Sequence, residues 1–332
     1  MADAITGGCR RLPAEWEPHQ GTWMSWPNRR GDSFHGEVLG RVVPTFLEIV
    51  RALAGSETVF LNVSDEDEAA LVAREIAGGV VELYQIPTNE PWCRDHGPVI
   101  VDAAGERLAT CWGFNGWGGK YQPFGLDAAA APKMADALAI KTTELPLVLE
   151  GGMIDSNGAG AALVARKALL DPRRNPGLTQ GRAEEVLRRE MGIERVLWLD
   201  EQVPGDDTDG HVDVYARFVS EDQIIACHDQ EAVARIRSAL PGFEILPLDP
   251  PPALEIEGQR LPAGYANFYI ANRCVLLPVF GTPQDDAAAA LLRQCFPGRD
   301  IIPIDCRELA WGLGSIHCLT QQLPVPAKGD SL

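Results

Sequence analysis

The sequence predicts an α/β fold made of repeated modules around a centre, and three observations predict it. Short apolar runs of strand length alternate with segments of helical spacing along the whole chain. Polar, functional-looking loops stand at the ends of the strands. The succession of helix, strand and polar loop returns about every sixty residues, without a letter-for-letter repeat. No break in composition marks a boundary, so residues 1–332 are read as one domain.

The elements follow in order. Thr22 to Trp26 reads as a strand stopped by Pro27-Asn28. Val38 to Leu53 has helical spacing and ends before Gly55. Thr58 to Val63 is a strand, and Ser64-Asp65-Glu66-Asp67 caps a helix that runs to about Ile76. Val81 to Ile86 is the next strand and delivers the polar loop Thr88 to Pro98. Pro98 to Val101 and Leu108 to Phe114 read as two strands, followed by the glycine-rich loop Asn115 to Lys120. That loop has no phosphate-binding pattern, so its glycines are assigned to turns. Asp127 to Ala139 is helical, and Leu145 to Leu149 is a strand ending in Glu150-Gly151-Gly152. Leu163 to Leu170 is read as a strand, Thr179 to Met191 as an amphipathic helix closed by Gly192, and Val196 to Leu199 as a strand. The acidic loop Gly205 to Asp213 leads into a strand from Val214 to Val219. Ile224 to Cys227 and Phe243 to Leu248 are strands around a helix from Gln230 to Ala239. After a proline-rich stretch, Asn267 to Phe280 reads as a strand pair turning at Ala271-Asn272-Arg273. Pro283 to Phe296 is a helix, Asp300 to Ile304 a strand, Ile316 to Leu319 a short strand, and Leu323 to Leu332 a tail.

Composition narrows the function classes. Lys+Arg number 29 against 47 Asp+Glu, a net charge of −18. That balance argues against nucleic acid and anionic membrane surfaces and favours small cationic partners. No apolar run reaches the ~20 residues of a membrane span. The N-terminus lacks a basic segment followed by an apolar core, so the expected location is cytoplasmic and reducing. The eight cysteines form no C-x-x-C pair, which removes the usual zinc and thioredoxin readings.

One cysteine stands out. Gly312 and Gly314 let the chain turn tightly just before Ile316-His317-Cys318-Leu319. Read as a strand, this segment points His317 and Cys318 to opposite faces, so a partner for Cys318 must come from elsewhere. A buried structural cysteine is the plain alternative. His211 and Asp213, two apart on an expected strand, share a face, and a carboxylate beside a histidine raises its pKa. Glu150 ends a strand and Asp95 sits in a loop; each alone reads first as a turn or solvated carboxylate and only second as a functional group. The cluster Asp206, Asp207, Asp209, His211 and Asp213 invites a metal reading. It lacks the glutamate of a calcium loop and a second histidine for zinc, so no metal site is assigned.

A thiol, a histidine and three carboxylates make better sense around a guanidinium. That ion is planar, with five N–H donors that carboxylates grip in pairs. A free thiol is only about 3% ionised at pH 7. A cation ~4 Å away, at an effective dielectric near 20, favours the thiolate by about 4 kcal/mol, or about three pKa units. A bound substrate can therefore ionise its own nucleophile.

Several motifs carry a family resemblance. They are Asn89-x-x-Trp92-x-Arg94-Asp95-x-Gly97-Pro98, Trp112-Gly113-Phe114-Asn115-x-Trp117-Gly118-Gly119, Glu150-Gly151-Gly152, Arg174-Asn175-Pro176, Asp207 to Asp213, Leu261 to Ile270, and Ile316-His317-Cys318-x-Thr320-Gln321-Gln322. In order, from about residue 12 to 324, they resemble agmatine deiminases, grouped with the bacterial-type peptidylarginine deiminases in the guanidino-modifying (pentein) superfamily. The resemblance implies a five-bladed α/β propeller with pseudo-fivefold symmetry. It implies that Cys318 attacks the guanidinium carbon and His211 protonates the departing ammonia, then activates water. It implies that Glu150 orients His211, that Asp95 and Asp213 hold the guanidinium, and that Trp92 and Trp117 contribute to substrate binding. No cofactor is implied, and a homodimer is compatible with it. Agmatine is the favoured substrate. Free, peptidyl or methylated arginine, an amidinotransferase, and a guanidine-binding protein without activity stand as alternatives. Two departures bear on the outer pocket: Gly312-Leu313-Gly314-Ser315 replaces a run of three glycines and an asparagine, and the region from His228 to Ala234 is short. Asp206 lies outside the matched motif and is expected to matter little.

Overall fold

The structure is a computed structural model that describes residues 10–76 and 79–326. Cys9 and the end of the expected tail lie outside the described residues. Among these residues are five mixed sheets of three or four strands, and one two-stranded hairpin. Each mixed sheet repeats one device, in which an antiparallel pair is extended by a parallel strand reached through a helical connection. Ile154–Ser156 pairs antiparallel with Ala161–Ala165, which pairs in parallel with Arg195–Leu199 across the helix Gln180–Met191. Ala216–Phe218, Gln223–Cys227 and Glu244–Leu248 repeat this pattern around the helix Gln230–Ala239. So do Tyr269–Ile270, Cys274–Val279 and Asp300–Asp305 around Gln284–Cys295.

Local chemistry sets these elements. Val42, Phe46, Ile49, Val50 and Leu53 fall on one face of the helix Val38–Ala54 and are buried against the strands. Asp65 caps the next helix by accepting from the Glu68 backbone N–H at 2.9 Å, and Thr179 caps Gln180–Met191. The strand Thr58–Val63 lies between two parallel neighbours and is buried without alternation from Val59 to Val63, because both of its faces are covered. No helix among the described residues is long and apolar enough to cross a membrane.

The structure corrects several expectations. Ile316–Leu319 is a single helical turn, closed by the Leu319 N–H donating to Ser315 and the Thr320 N–H to His317. Four residues are too few to separate a period of two from a period of 3.6. His211 and Asp213 are not on a strand but on the short turn Val212–Val214, and the strand expected from Val214 begins at Ala216. The run Leu163 to Leu170 splits into the strand Ala161–Ala165 and the turn Arg166–Leu169. The helix Asp127 to Ala139 is two pieces, Gly125–Ala128 and Ala130–Ala137. The hairpin Leu254–Ile256 with Gln259–Leu261 went unpredicted after the prolines. Gln321–Pro324 is a strand paired with His19–Ser25, not part of a tail.

Candidate active site

The fold brings one short segment of each mixed sheet to a common centre. Asp95 sits on the helical turn Cys93–His96 just before the strand Val99–Ala103. Glu150 precedes the turn Gly151–Met153 that opens the strand Ile154–Ser156. His211 and Asp213 stand before Ala216–Phe218, Asn267 before Tyr269–Ile270, and Cys318 before Gln321–Pro324. All of these side chains are buried, with Cys318 8% exposed and lining a narrow cleft.

Hydrogen bonds fix the group. His211 Nε2 lies 2.9 Å from Glu150 Oε2, and its Nδ1 lies 3.8 Å from Asp95 Oδ1. Glu150 is gripped from behind by Arg174 Nε at 2.8 and 3.1 Å. Asp95 accepts from the Gly152 backbone N–H at 3.0 Å and from the Trp117 indole N–H at 2.9 Å. Asp213 Oδ2 lies 2.7 Å from His317 Nδ1 and 3.9 Å from the Cys318 sulfur. Asp213 Oδ1 has no hydrogen-bond partner in the protein. Asn267 donates to the Cys318 sulfur at 3.4 Å and accepts from the His317 backbone N–H at 3.0 Å.

Electrostatics follow from this packing. Burial alone lowers the His211 pKa, but the Asp95, Glu150 and Asp213 carboxylates outweigh it and raise it to about 9. Burial also works to raise Glu150, yet its bonds to His211 and Arg174 pull it below the usual range. Asp213 is lowered despite burial, chiefly by His317. Asp95 is raised to about 6, by burial first, with Glu150 and Asp213 adding to it against the His211 charge. Burial, then Asp213 and Asp95, push the Cys318 thiol well above its ordinary value. Burial likewise pushes Cys93 and Cys306 to about 12. Ease of ionisation among these groups therefore does not mark Cys318. Its place does: it faces a cleft between two carboxylates, while Cys93 and Cys306 are sealed in the core.

Trp92, Trp117 and Tyr121 wall the cleft, and Asp207 and Thr208 border it. A Cβ on Gly314 would stand 2.5 Å from the Trp92 ring and one on Gly312 2.7 Å from it, so this backbone rests directly on the indole. Among the described residues no lysine or arginine lines the cleft. Among the described residues no group of three or more His, Cys, Asp or Glu side chains is placed to hold a metal ion.

Residues 11–324 match the model of the Porphyromonas-type peptidyl-arginine deiminases. The chain belongs to that family. A protein of Legionella pneumophila (strain Paris) named "Putative agmatine deiminase" is 33% identical over 332 aligned residues, 94% of this chain and 95% of that one. The structure of C. jejuni agmatine deiminase with substrate bound, a cysteine-to-serine variant, superposes with a TM-score of 0.89 at 28% identity, covering 97% of this chain and 98% of that one. Agmatine deiminase of Enterococcus faecalis superposes at 0.88 and 26% identity, over 96% of this chain and 98% of that one. The mixed α/β fold is thus the fold of these relatives.

Within this family frame, the five side chains singled out in the sequence come together in one buried group, of which Asp95 and Cys318 line the cleft. Sequence reasoning missed their supports. His317 was set aside because a strand points it away from Cys318. In a helical turn neighbours are only about 100° apart, and both residues reach Asp213. Glu15, in an irregular segment with no pattern of its own, accepts from His317, Arg94 and Arg217 at 2.9, 3.0 and 2.9 Å. Arg174 and Asn267 lay inside matched motifs without an assigned role. Asp206 is also more than a bystander: it accepts from the Thr208 hydroxyl and from the Thr208 and Gly210 N–H groups, shaping the loop that carries His211.

Proposed function

We propose that the protein is a thiol-dependent guanidine hydrolase that converts agmatine to N-carbamoylputrescine and ammonia. The reading takes residues of about 12–324 as one catalytic domain, a five-bladed α/β propeller in which each blade sends one segment to the site. The observation that carries the choice of substrate is the lining of the cleft. A guanidinium at its base meets Asp95 and the free Oδ1 of Asp213 beside the Cys318 sulfur. Aromatic walls suit an alkyl chain, and the outer anion, Asp207, suits a distal amine. An α-carboxylate, as in arginine, finds no cation there.

The chemistry follows from charge. In the empty site the thiol is held protonated between two anions. A bound guanidinium offsets them, and the thiol loses its proton to solvent. The thiolate forms a bond to the central carbon, and the C=N electrons move onto nitrogen. His211, an imidazolium near neutral pH because of its raised pKa, protonates the leaving nitrogen, and ammonia departs. The S-linked amidine remains on Cys318. His211, now neutral, takes a proton from water, and the hydroxide adds to the same carbon. The C–S bond then breaks and leaves the ureido product. Glu150 and Arg174 keep the imidazole aimed throughout.

The test is a panel of agmatine, arginine, methylarginine and an arginine peptide, assayed for both ammonia and ureido product, with and without an added amine. Agmatine should give the highest kcat/KM, with equal amounts of both products and no transfer to the amine. Cys318→Ser should lose turnover while keeping its circular dichroism. Preference for arginine, or transfer without ammonia release, would replace this reading.

A further inference from the structure

We propose that Leu313 sets the length of substrate the cleft accepts, a reading that rests on the guanidine-hydrolase function above. Leu313 closes the turn Leu309–Gly312 with φ +62° and ψ +19°, in the left-handed region. Six non-glycine residues have positive φ among the described residues: Ala104, Trp117, Ala139, Asp209, Glu257 and Leu313. Ala104 and Glu257 precede glycines in tight hairpin turns, where this conformation is required. Trp117 and Leu313 are the two that line the cleft. Trp117 accounts for its conformation by the bond from its indole N–H to Asp95. Leu313 makes no polar contact with its side chain, and a bulky residue is a true outlier in this region. Glycine would meet this φ without strain, whereas Gly312 and Gly314 on either side are not at positive φ and serve the close approach to Trp92. What leucine adds is volume, at a point where the backbone already lies against Trp92.

The cleft is narrow, and its base is fixed by the guanidinium partners. A side chain on its wall therefore limits what extends from the guanidinium toward Asp207. Leu313 favours a short, slim aminoalkyl chain and disfavours longer or branched ones. Strain at this position is the cost of that selection.

The experiment compares wild type, Leu313→Ala and Leu313→Gly on a series of aminoalkylguanidines shorter than, equal to and longer than agmatine, by kcat/KM, alongside thermal unfolding. Alanine keeps the backbone strain and removes the volume; glycine removes both. Selectivity should follow volume, so both variants should shift toward the longer compounds relative to agmatine, on the order of tenfold per added methylene. Stability should follow the backbone, with the glycine variant melting roughly 2 °C above the alanine variant. A merely structural leucine would change stability without moving the order of substrates. The same order of preference in all three proteins would overturn the inference and leave the function standing. No turnover of any member by wild type would instead overturn the function.

Discussion

Asp95 and Asp213 differ in how the protein uses their oxygens. Both oxygens of Asp95 accept from the protein, whereas Asp213 keeps Oδ1 free. Replacing either by asparagine turns an acceptor into a group that can set N–H against N–H. Each change should lower kcat/KM for agmatine by one to two orders of magnitude, about 1.5–3 kcal/mol per charged hydrogen bond, in steady-state kinetics on folded protein. Asp206→Asn, which disturbs the loop bonds rather than the grip, should also be felt, by a smaller factor. A pH effect follows from Asp95. Its carboxyl titrates near 6 in the empty site, and a bound cation favours its anion. Binding therefore releases a proton when pH lies below that value. Agmatine affinity for Cys318→Ser, measured by calorimetry, should be flat above pH about 6 and weaken below it, by at most tenfold per pH unit. That Asp95, Glu150, His211, Asp213 and Cys318 would come together was legible in the sequence because each is a polar group in a specific motif. His317 was not, because its role depends on a turn the pattern could not distinguish from a strand.

The functional segments are short turns joined to rigid strands, so their positions depend on how the strands and helices end. Where an element carries its own stop signal, sequence and structure agree closely. Gln180–Met191 starts at the Thr179 cap and stops at Gly192, with φ +68°. A methyl group at Gly192 would overlap the Arg10 carbonyl oxygen as well as strain the turn. Gly192→Ala should therefore lower stability by more than ~1 kcal/mol in urea unfolding while kcat/KM stays near wild type, since the position is outside the cleft. Where the stop signal was absent, the reading failed. Leu163 to Leu170 is apolar on both sides of the charged pair Arg166-Lys167, with no glycine, proline or capping residue to mark a stop, and the strand gives way to a helical turn at that pair. The hairpin from Leu254 to Leu261 lay hidden because Pro250, Pro251 and Pro252 read as a loop, and its own strands are only three residues each.

At the scale of the whole molecule, a buried ionic hub ties the units together beneath the site. Glu15 bonds Arg94, Arg217, His317 and the Ile270 backbone N–H, and Arg217 also bonds Asp155 and the Phe268 carbonyl. These partners come from segments of all five mixed sheets, and no local pattern could pair them, because each contact spans a long stretch of chain. Arg217→Met would leave Asp155 with a lost cation in a dry interior. It should cost about 3–5 kcal/mol, read as a shifted denaturation midpoint. Below this hub the alternation of elements already announced the α/β class; above it, the cleft was announced by its motifs. The proposed route takes the guanidine carbon through a bond to Cys318. Acid quenching of the wild-type enzyme during agmatine turnover, followed by peptide mass mapping, tests it most directly. An amidine adduct is expected on the peptide containing Cys318 and none on those containing Cys93 or Cys306. Steady ammonia release with an adduct on another cysteine, or with Cys318 unmodified throughout a presteady-state time course, would contradict it.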